Sequence, residues 1–404
     1  MNPPMISRLE KMKSIGMIIM VISLPFSESV KEISIIFLFI IVLVQLYKKE
    51  IKLEMSLVHW GFLFLVVSAL ISSLLANHPV KSLTGFIDIC FFAVPFGVAA
   101  SLQDQKYIRL ILWSFCLSTA LAALAGIFHS ITIQRPLEIH SLGNQNYTAM
   151  YFVISLTSML SMIIFSRESA GWKILIGVLA LITMTATVMT SMRTSFLALF
   201  LFLLILVFSN NNRITQVITL SLGGFLIFAA LLYEPMRQKM FITTSLFSRI
   251  ALWQHAWELF KQNFFWGVGL NHYQYTFPVD VLPEAGATYF DAHSLYFQTA
   301  SQMGLVGLTT IAMIGVGLLH RCLRIDGLNS LQKCLKYAAL GGFCVIFIGG
   351  VLDTTLHHQQ AIPFAFLTGL LFGYSSRNSP QPIPRIAAIK KFVAMECKIH
   401  SKQQ

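Results

Sequence analysis

Residues 173–209 read KILIGVLALITMTATVMTSMRTSFLALFLFLLILVFS. As a single helix these residues would reach about 55 Å at 1.5 Å per residue. A bilayer core is only about 30 Å thick. The stretch is too long to cross once, so it must reverse near Ser191-Met192-Arg193-Thr194. That makes it two membrane-spanning helices with an arginine in the tight turn between them.

Composition extends the same reading to the whole chain. Of 404 residues, 56% are apolar and 11% charged, with a mean hydropathy of +0.71. A soluble domain carries roughly 25% charged residues, so water cannot be the main solvent here. The 33 Phe and the scarcity of alternating strand patterns favour a helical bundle over a barrel. The predicted fold class is an all-α integral membrane protein.

About twelve stretches suit a spanning helix: 14–27, 33–47, 57–76, 83–101, 108–131, 147–166, 173–192, 194–209, 214–233, 294–320, 335–352 and 361–375. Arg8, Lys11 and Lys13 before the first stretch resemble a signal peptide. No small-residue cleavage site follows, so it is expected to be retained. Eight of the 29 Lys and Arg fall in outer segments if the N-terminus is inside: Lys31, Lys81, Arg135, Arg193, Arg237, Lys239, Arg249 and Lys261. The other 21 fall inside, which fits the positive-inside rule with an even number of spans. The net charge of +12 is therefore topological and does not point to nucleic acid. Residues 1–375 read as one polytopic domain. Its outer loop at 234–293 lies between spans nine and ten, and a basic tail occupies 376–404. Six cysteines without CxxC spacing indicate neither zinc nor a disulfide framework.

The long loop is the place to look for chemistry. Within it, 248–264 has helical periodicity, with Ile250, Trp253, Trp257, Phe260 and Phe264 on one face. Ser248 is the expected N-cap, which would put Arg249 in the first turn beside free backbone N–H groups, a good anion site. Arg193 and Arg249 converging on one cavity would suit a diphosphate, because a guanidinium forks onto phosphate oxygens. An outer arginine also suits contact with lipid phosphate. His293, in Asp291-Ala292-His293-Ser294, can exchange a proton near neutral pH, and a nearby Asp can fix its tautomer. His78, His140, His272, His357 and His358 are weaker candidates. Adjacent His357 and His358 lack a carboxylate cluster to complete a metal site. Asp280, Glu284 and Asp291 are scattered, so no metal is expected. No Walker loop, nucleophile elbow, Ser-x-x-Lys or HExxH occurs, and no cofactor is expected.

These pieces together resemble the O-antigen ligase family, within a wider group that includes O-antigen polymerases and protein O-oligosaccharyltransferases. The resemblance runs over about residues 140–310. It rests on Gly143-Asn144-Gln145-Asn146, Ser191-Met192-Arg193, Ser248-Arg249 with Trp253, Gly267-Val268-Gly269, and His293-Ser294-Leu295-Tyr296 followed by Gly304 and Gly307. Gln302 stands where the family often has Glu, and Met192 separates Ser191 from Arg193. The resemblance implies a GT-C-like, metal-independent, inverting glycosyltransferase of the bacterial inner membrane, active at the periplasmic face. Its donor would be a glycan on undecaprenyl diphosphate, and its acceptor a sugar hydroxyl of lipid A-core. Arg193 and Arg249 would stabilise the leaving diphosphate, and His293 would be the base. Trp253, Asn144, Asn146 and Tyr296 would complete substrate binding. A polymerase or protein glycosyltransferase would use the same donor. Loss of a ligase leaves core without polymer, whereas loss of a polymerase leaves core with one repeat unit. A transporter of lipid-linked glycan is the more remote reading. It should bury charges at mid-span or repeat its halves, and neither is seen in the sequence.

Overall fold

The computed structural model describes residues 8–51, 55–102, 104–209, 212–232, 234, 244–276, 291–325 and 328–378. The tail expected beyond 378, and 277–290 of the long loop, lie outside them. The described residues form helices joined by turns and short loops, with no strand among them. In chain order the helices are α1 (Arg8–Ser23), α2 (Glu28–Tyr47), α3 (Leu57–Leu75), α4 (Pro79–Ala100), α5 (Gln105–Ile133), α6 (Gln145–Phe165), α7 (Ala170–Met189), α8 (Arg193–Ser209), α9 (Arg213–Leu232), α10 (Thr244–Gln262), α11 (Leu295–Arg324), α12 (Ser330–Phe343) and α13 (His358–Asn378).

Every predicted span coincides with one of these helices, α10 being the extra helix inside the long loop. Among the described residues, eight helices are long and apolar enough to cross a membrane: α2 to α7, α11, and α12 with its continuation to Val351. Helix α8 is a shorter apolar helix. The protein is a multi-pass, all-α membrane protein. Its lipid-facing surface is apolar, with Ile33, Phe128, Ile174 and Phe208 all well exposed.

The reversal near residue 191 occurs as the hydropathy requires. Helix α7 ends at Met189, Ser191 takes a left-handed φ of 57°, and α8 begins at Arg193. Successive helices alternate in direction, so the α1–α2, α3–α4, α5–α6 and α7–α8 turns share one end of the bundle, here called the site end. At the opposite end, Lys13 of α1 donates to Ser101 after α4, and Asn329 before α12 donates to Tyr374 of α13.

Helix α6 is the central post, with every side chain from Thr148 to Met162 buried. Helix α12 packs along α6, α11 along α3, and α13 along α4. The α13–α4 approach depends on Gly369 and Gly373. A Cβ at either would overlap the backbone of α4 around Phe96 and Ala100. Small residues let helices close in this way where the hydrophobic effect does not separate lipid from protein.

Two sequence expectations need correction. The spacing puts Lys31 in an outer connection, but α2 starts at Glu28 and Lys31 sits buried in its first turn, 4.0 Å from Glu28. The early Ser27 cap is the reason, since its side chain accepts from Val30 N–H. Helix α10 likewise begins at Thr244, so Ser248 does not cap it and Arg249 lies in the second turn. The proposed N-terminal amide contribution beside Arg249 therefore falls away.

Candidate functional site

The site end gathers five pieces of chain: the start of α6, the α7–α8 turn, α10, residues 291–296, and the end of the α12 segment with the start of α13. Their meeting point is Asp353, which is 3% exposed. Its Oδ1 lies 3.3 Å from His293 Nδ1 and accepts from Thr354 N–H at 2.9 Å. Its Oδ2 accepts from Asn146 Nδ2 at 3.1 Å, and its backbone carbonyl accepts from Leu295 N–H. Arg249 donates through a terminal guanidinium nitrogen to the carbonyl of Leu352, the preceding residue.

The way α12 ends explains why a carboxylate sits there. After Phe343 the helix widens into a π turn at Cys344–Ile348, then tightens into a 3₁₀ turn at Gly349–Val351. Widened turns release carbonyls that a regular helix would use internally. Here they are taken by the site: Phe347 O by Tyr296 hydroxyl at 2.8 Å, Ile346 O by Thr355, and Gly350 O by Ser294. Residues 346–353 thus serve as a backbone rack against which the His293 segment is aligned. His293 itself takes a φ of 47°, in the left-handed region that few non-glycine residues occupy. Such a conformation persists only where surrounding contacts impose it.

Arg249 is half-buried. Burial works against its charge, Asp353 favours it, and Arg193 opposes it, leaving its pKa below the ordinary arginine value. A guanidinium stays protonated regardless. Two cations close enough to repel each other would both gain from an anion placed between them. Asp353 supplies one negative charge beside Arg249.

A second carboxylate extends the site. Asp291 Oδ2 lies 3.4 Å from His357 Nε2 and accepts from the Tyr147 hydroxyl at 3.3 Å, while Oδ1 accepts from Gln298 at 3.2 Å. The Tyr147 ring rests on His357, with centroids 4.4 Å apart. Burial alone would raise the Asp291 pKa, but His357, His293 and Tyr147 around it hold it below the ordinary value. Burial likewise disfavours charge on His357, yet Asp291, Asp353 and Asp88 raise its pKa. Each partner thus shifts the other toward its charged form. Beyond it, His358 Nδ1 lies 3.6 Å from Asp88 and Nε2 lies 3.8 Å from Glu28.

The other predicted binding residues have defined engagements. Asn144 caps α6, its side chain accepting from Asn146 and Tyr147 N–H. Trp253 stacks on Phe297 with centroids 5.4 Å apart, joining α10 to α11. Tyr296 spends its hydroxyl on Phe347. Arg193, Arg249, His293 and Asn146 come together, whereas Asn144, Trp253 and Tyr296 hold the frame around them.

The glycine motifs are part of that frame. Helix α11 breaks at Gly304, with φ 64° and ψ −158°. The segment 264–269 inserts at the break. Val268 and Gly269 N–H donate to Ser301 and Gln302 carbonyls, and Leu305 and Val306 N–H donate to Phe264 and Phe265 carbonyls. A Cβ at Gly267 or Gly304 would overlap the facing backbone.

Residues 178–312 match the family described as O-antigen ligase. That stretch of the chain is similar to the O-antigen ligase family. A comparison with curated proteins finds no match. The family-matched stretch runs from α7 into α11 and contains Arg193, Arg249, Trp253, His293 and Tyr296. It does not contain Asn146, Tyr147, Asp353 or His357. Tyr147 and Asp353 are the partners that sequence reasoning missed, and the sequence marks His357 only as a weaker candidate. The available signal was weak: Asp353-Thr354-Thr355 after Gly349-Gly350, a carboxylate closing an otherwise apolar span.

Proposed function

We propose that this protein is an O-antigen ligase. It transfers a polysaccharide from undecaprenyl diphosphate to a sugar hydroxyl of lipid A-core, with inversion and without a metal. We place it in the bacterial inner membrane with twelve spans in a GT-C-like arrangement, both termini cytoplasmic, and the site end facing the periplasm. The observation that carries the reading is the pairing of His293 with Asp353, with Arg249 bound to the preceding carbonyl of Leu352 and within reach of the charge of Arg193.

The chemistry follows from that arrangement. Asp353 engages Nδ1 of His293, which leaves Nε2 to accept a proton. The acceptor hydroxyl gives its proton to Nε2, and its oxygen attacks the anomeric carbon from the face opposite the diphosphate. The bond from that carbon to the phosphate oxygen breaks, and the diphosphate leaves with the electron pair. Arg193 and Arg249 stabilise its growing charge. Asp353 balances the imidazolium formed on His293, as the carboxylate does in other His–carboxylate pairs. Asn146 steadies Asp353, and Asn144, Trp253 and Tyr296 shape the binding space. The lipid tails of both substrates require lateral access from the bilayer.

The test is His293→Ala in detergent, with lipid-linked donor and rough lipopolysaccharide as acceptor. Turnover should fall about 100- to 10,000-fold, while donor binding stays near that of wild type. A folded, monodisperse variant that transfers glycan at the wild-type rate refutes the role of His293 as base.

A further inference from the structure

Beside the His293–Asp353 pair lies a cavity of about 90 Å³, bounded by α3, α4, α11 and the segment joining α12 to α13. A water takes roughly 30 Å³ of liquid volume, so there is room for about three waters or for the hydroxyl-bearing edge of one sugar ring. Its polar lining includes Asp88, Asn271, Asp291, Gln298, Gln302, Thr354 and His357. Phe92 and Met303 supply apolar surface.

Three observations say what belongs there. Thr354 is 5% exposed, and among the described residues its Oγ1 has no hydrogen-bond partner. A buried hydroxyl without a partner is costly, and a ligand group in the cavity would satisfy it. The wall holds two carboxylates and three carboxamides, its one histidine, His357, is already paired with Asp291, and it has no arginine or lysine, so it suits a hydroxyl better than a phosphate. Finally, Thr354 follows Asp353, and Asp291 precedes His293 by two residues. A ring seated in the cavity would therefore lie next to the proton-accepting pair, while the arginines lie on α8 and α10.

We propose that this cavity receives the hydroxyl-bearing edge of one sugar ring of a substrate, its hydroxyls donating to Asp88 and Asp291 and pairing with Gln302 and Thr354. The proposal rests on the glycosyl-transfer reading above. The sugar is either the end residue of the acceptor or the first residue of the donor glycan, since both offer the same hydroxyl chemistry.

Thr354→Val and Gln302→Met remove polar groups at nearly constant volume, and Thr354→Ser keeps the hydroxyl. Each full-length variant is assayed in detergent with lipid-linked donor and rough lipopolysaccharide, varying one substrate at a time. KM for one substrate should rise roughly 3- to 10-fold with kcat little changed, the size expected for one lost hydrogen bond. Thr354→Ser should behave as wild type. A rise for lipopolysaccharide assigns the cavity to the acceptor, and a rise for the donor assigns it to the donor sugar. Unchanged KM for both substrates in folded Thr354→Val and Gln302→Met overturns the proposal, whether or not kcat falls. If wild type transfers nothing, the functional reading fails and the cavity is read by heat protection instead. Protection by either substrate that is weaker in Thr354→Val than in wild type supports the subsite, and equal or absent protection overturns it.

Discussion

Replacing Asp353 by asparagine removes a charge while keeping the shape, and its consequences can be worked out atom by atom. Thr354 N–H is a fixed backbone donor at 2.9 Å from Oδ1, so that position must remain an oxygen. The new amide nitrogen then takes the place of Oδ2, facing Asn146 at 3.1 Å. Asn146 can turn its own amide to present oxygen. His293 Nδ1 still meets an acceptor 3.3 Å away, so the ring keeps its tautomer and orientation. What disappears is the negative charge beside the imidazolium formed during transfer. Hydrogen bonds to charged groups contribute about 1.5–3 kcal/mol, and neutral ones about 1. The difference, about 0.5–2 kcal/mol, therefore lowers kcat about 2- to 30-fold at 1.4 kcal/mol per tenfold. KM for either substrate should move little. The assay is steady-state transfer in detergent, with gel filtration to confirm folding and Asp353→Ala as the variant that loses orientation as well. Folded Asp353→Asn working at the wild-type rate would show that the carboxylate has no electrostatic part in the reaction.

Other outcomes follow from the same geometry. Arg249→Ala and Arg193→Ala should each lower the transfer rate roughly 100- to 1000-fold, equivalent to about 2.7–4 kcal/mol, and Arg249→Lys should recover only part of it; full recovery by lysine would exclude a forked contact. The Asp291–His357 pair sets a pH dependence of stability. The raised His357 pKa contributes stability that is complete below about 6.5, its ordinary value, and is lost as pH rises through the folded value. The depressed Asp291 pKa contributes above about 3.9 and is lost as pH falls through its own folded value. The melting-temperature difference between wild type and His357→Gln should therefore be largest below about pH 6.5 and above about pH 3.9, and should shrink as pH rises from there; a gap that widens with rising pH contradicts the assignment. Gly304→Ala places a Cβ on a backbone conformation essentially reserved for glycine, at a strain of about 1–3 kcal/mol before the overlap with Phe265; thermal melts or the yield of monodisperse protein should show the loss.

The bundle was largely legible because lipid imposes a simple rule: long apolar runs become helices and their lengths set the turns. The reversal at Arg193 could be read from length alone. Helix starts were less legible. Glu28 and Lys31 look like loop residues, yet Ser27 caps a helix that carries them into the bundle. The site was half legible. Arginines and histidines in outer segments attract attention because they are rare there. Asp353 and Tyr147 do not, since each belongs to the edge of an apolar span, and only the chain's three-dimensional path brings them to His293 and His357. The unwinding of α12 has no sequence signature beyond paired glycines. The glycines of 267–269 and 304 read as motifs, but their role is spatial: they let one backbone pass through a gap in another.

That clasp has a kinetic meaning. Backbone hydrogen bonds on both sides of the α11 break tie the end of the Arg249-bearing loop into the bundle, and Trp253 seats α10 on Phe297. Arg249 is therefore positioned by folding and not gathered anew around each arriving donor. A preorganised cation needs little reorganisation when charge develops on the leaving group, which is where electrostatic catalysis is most effective. An arginine on a freely swinging loop would have to be ordered at every turnover, and the entropy of ordering it would reappear in the barrier.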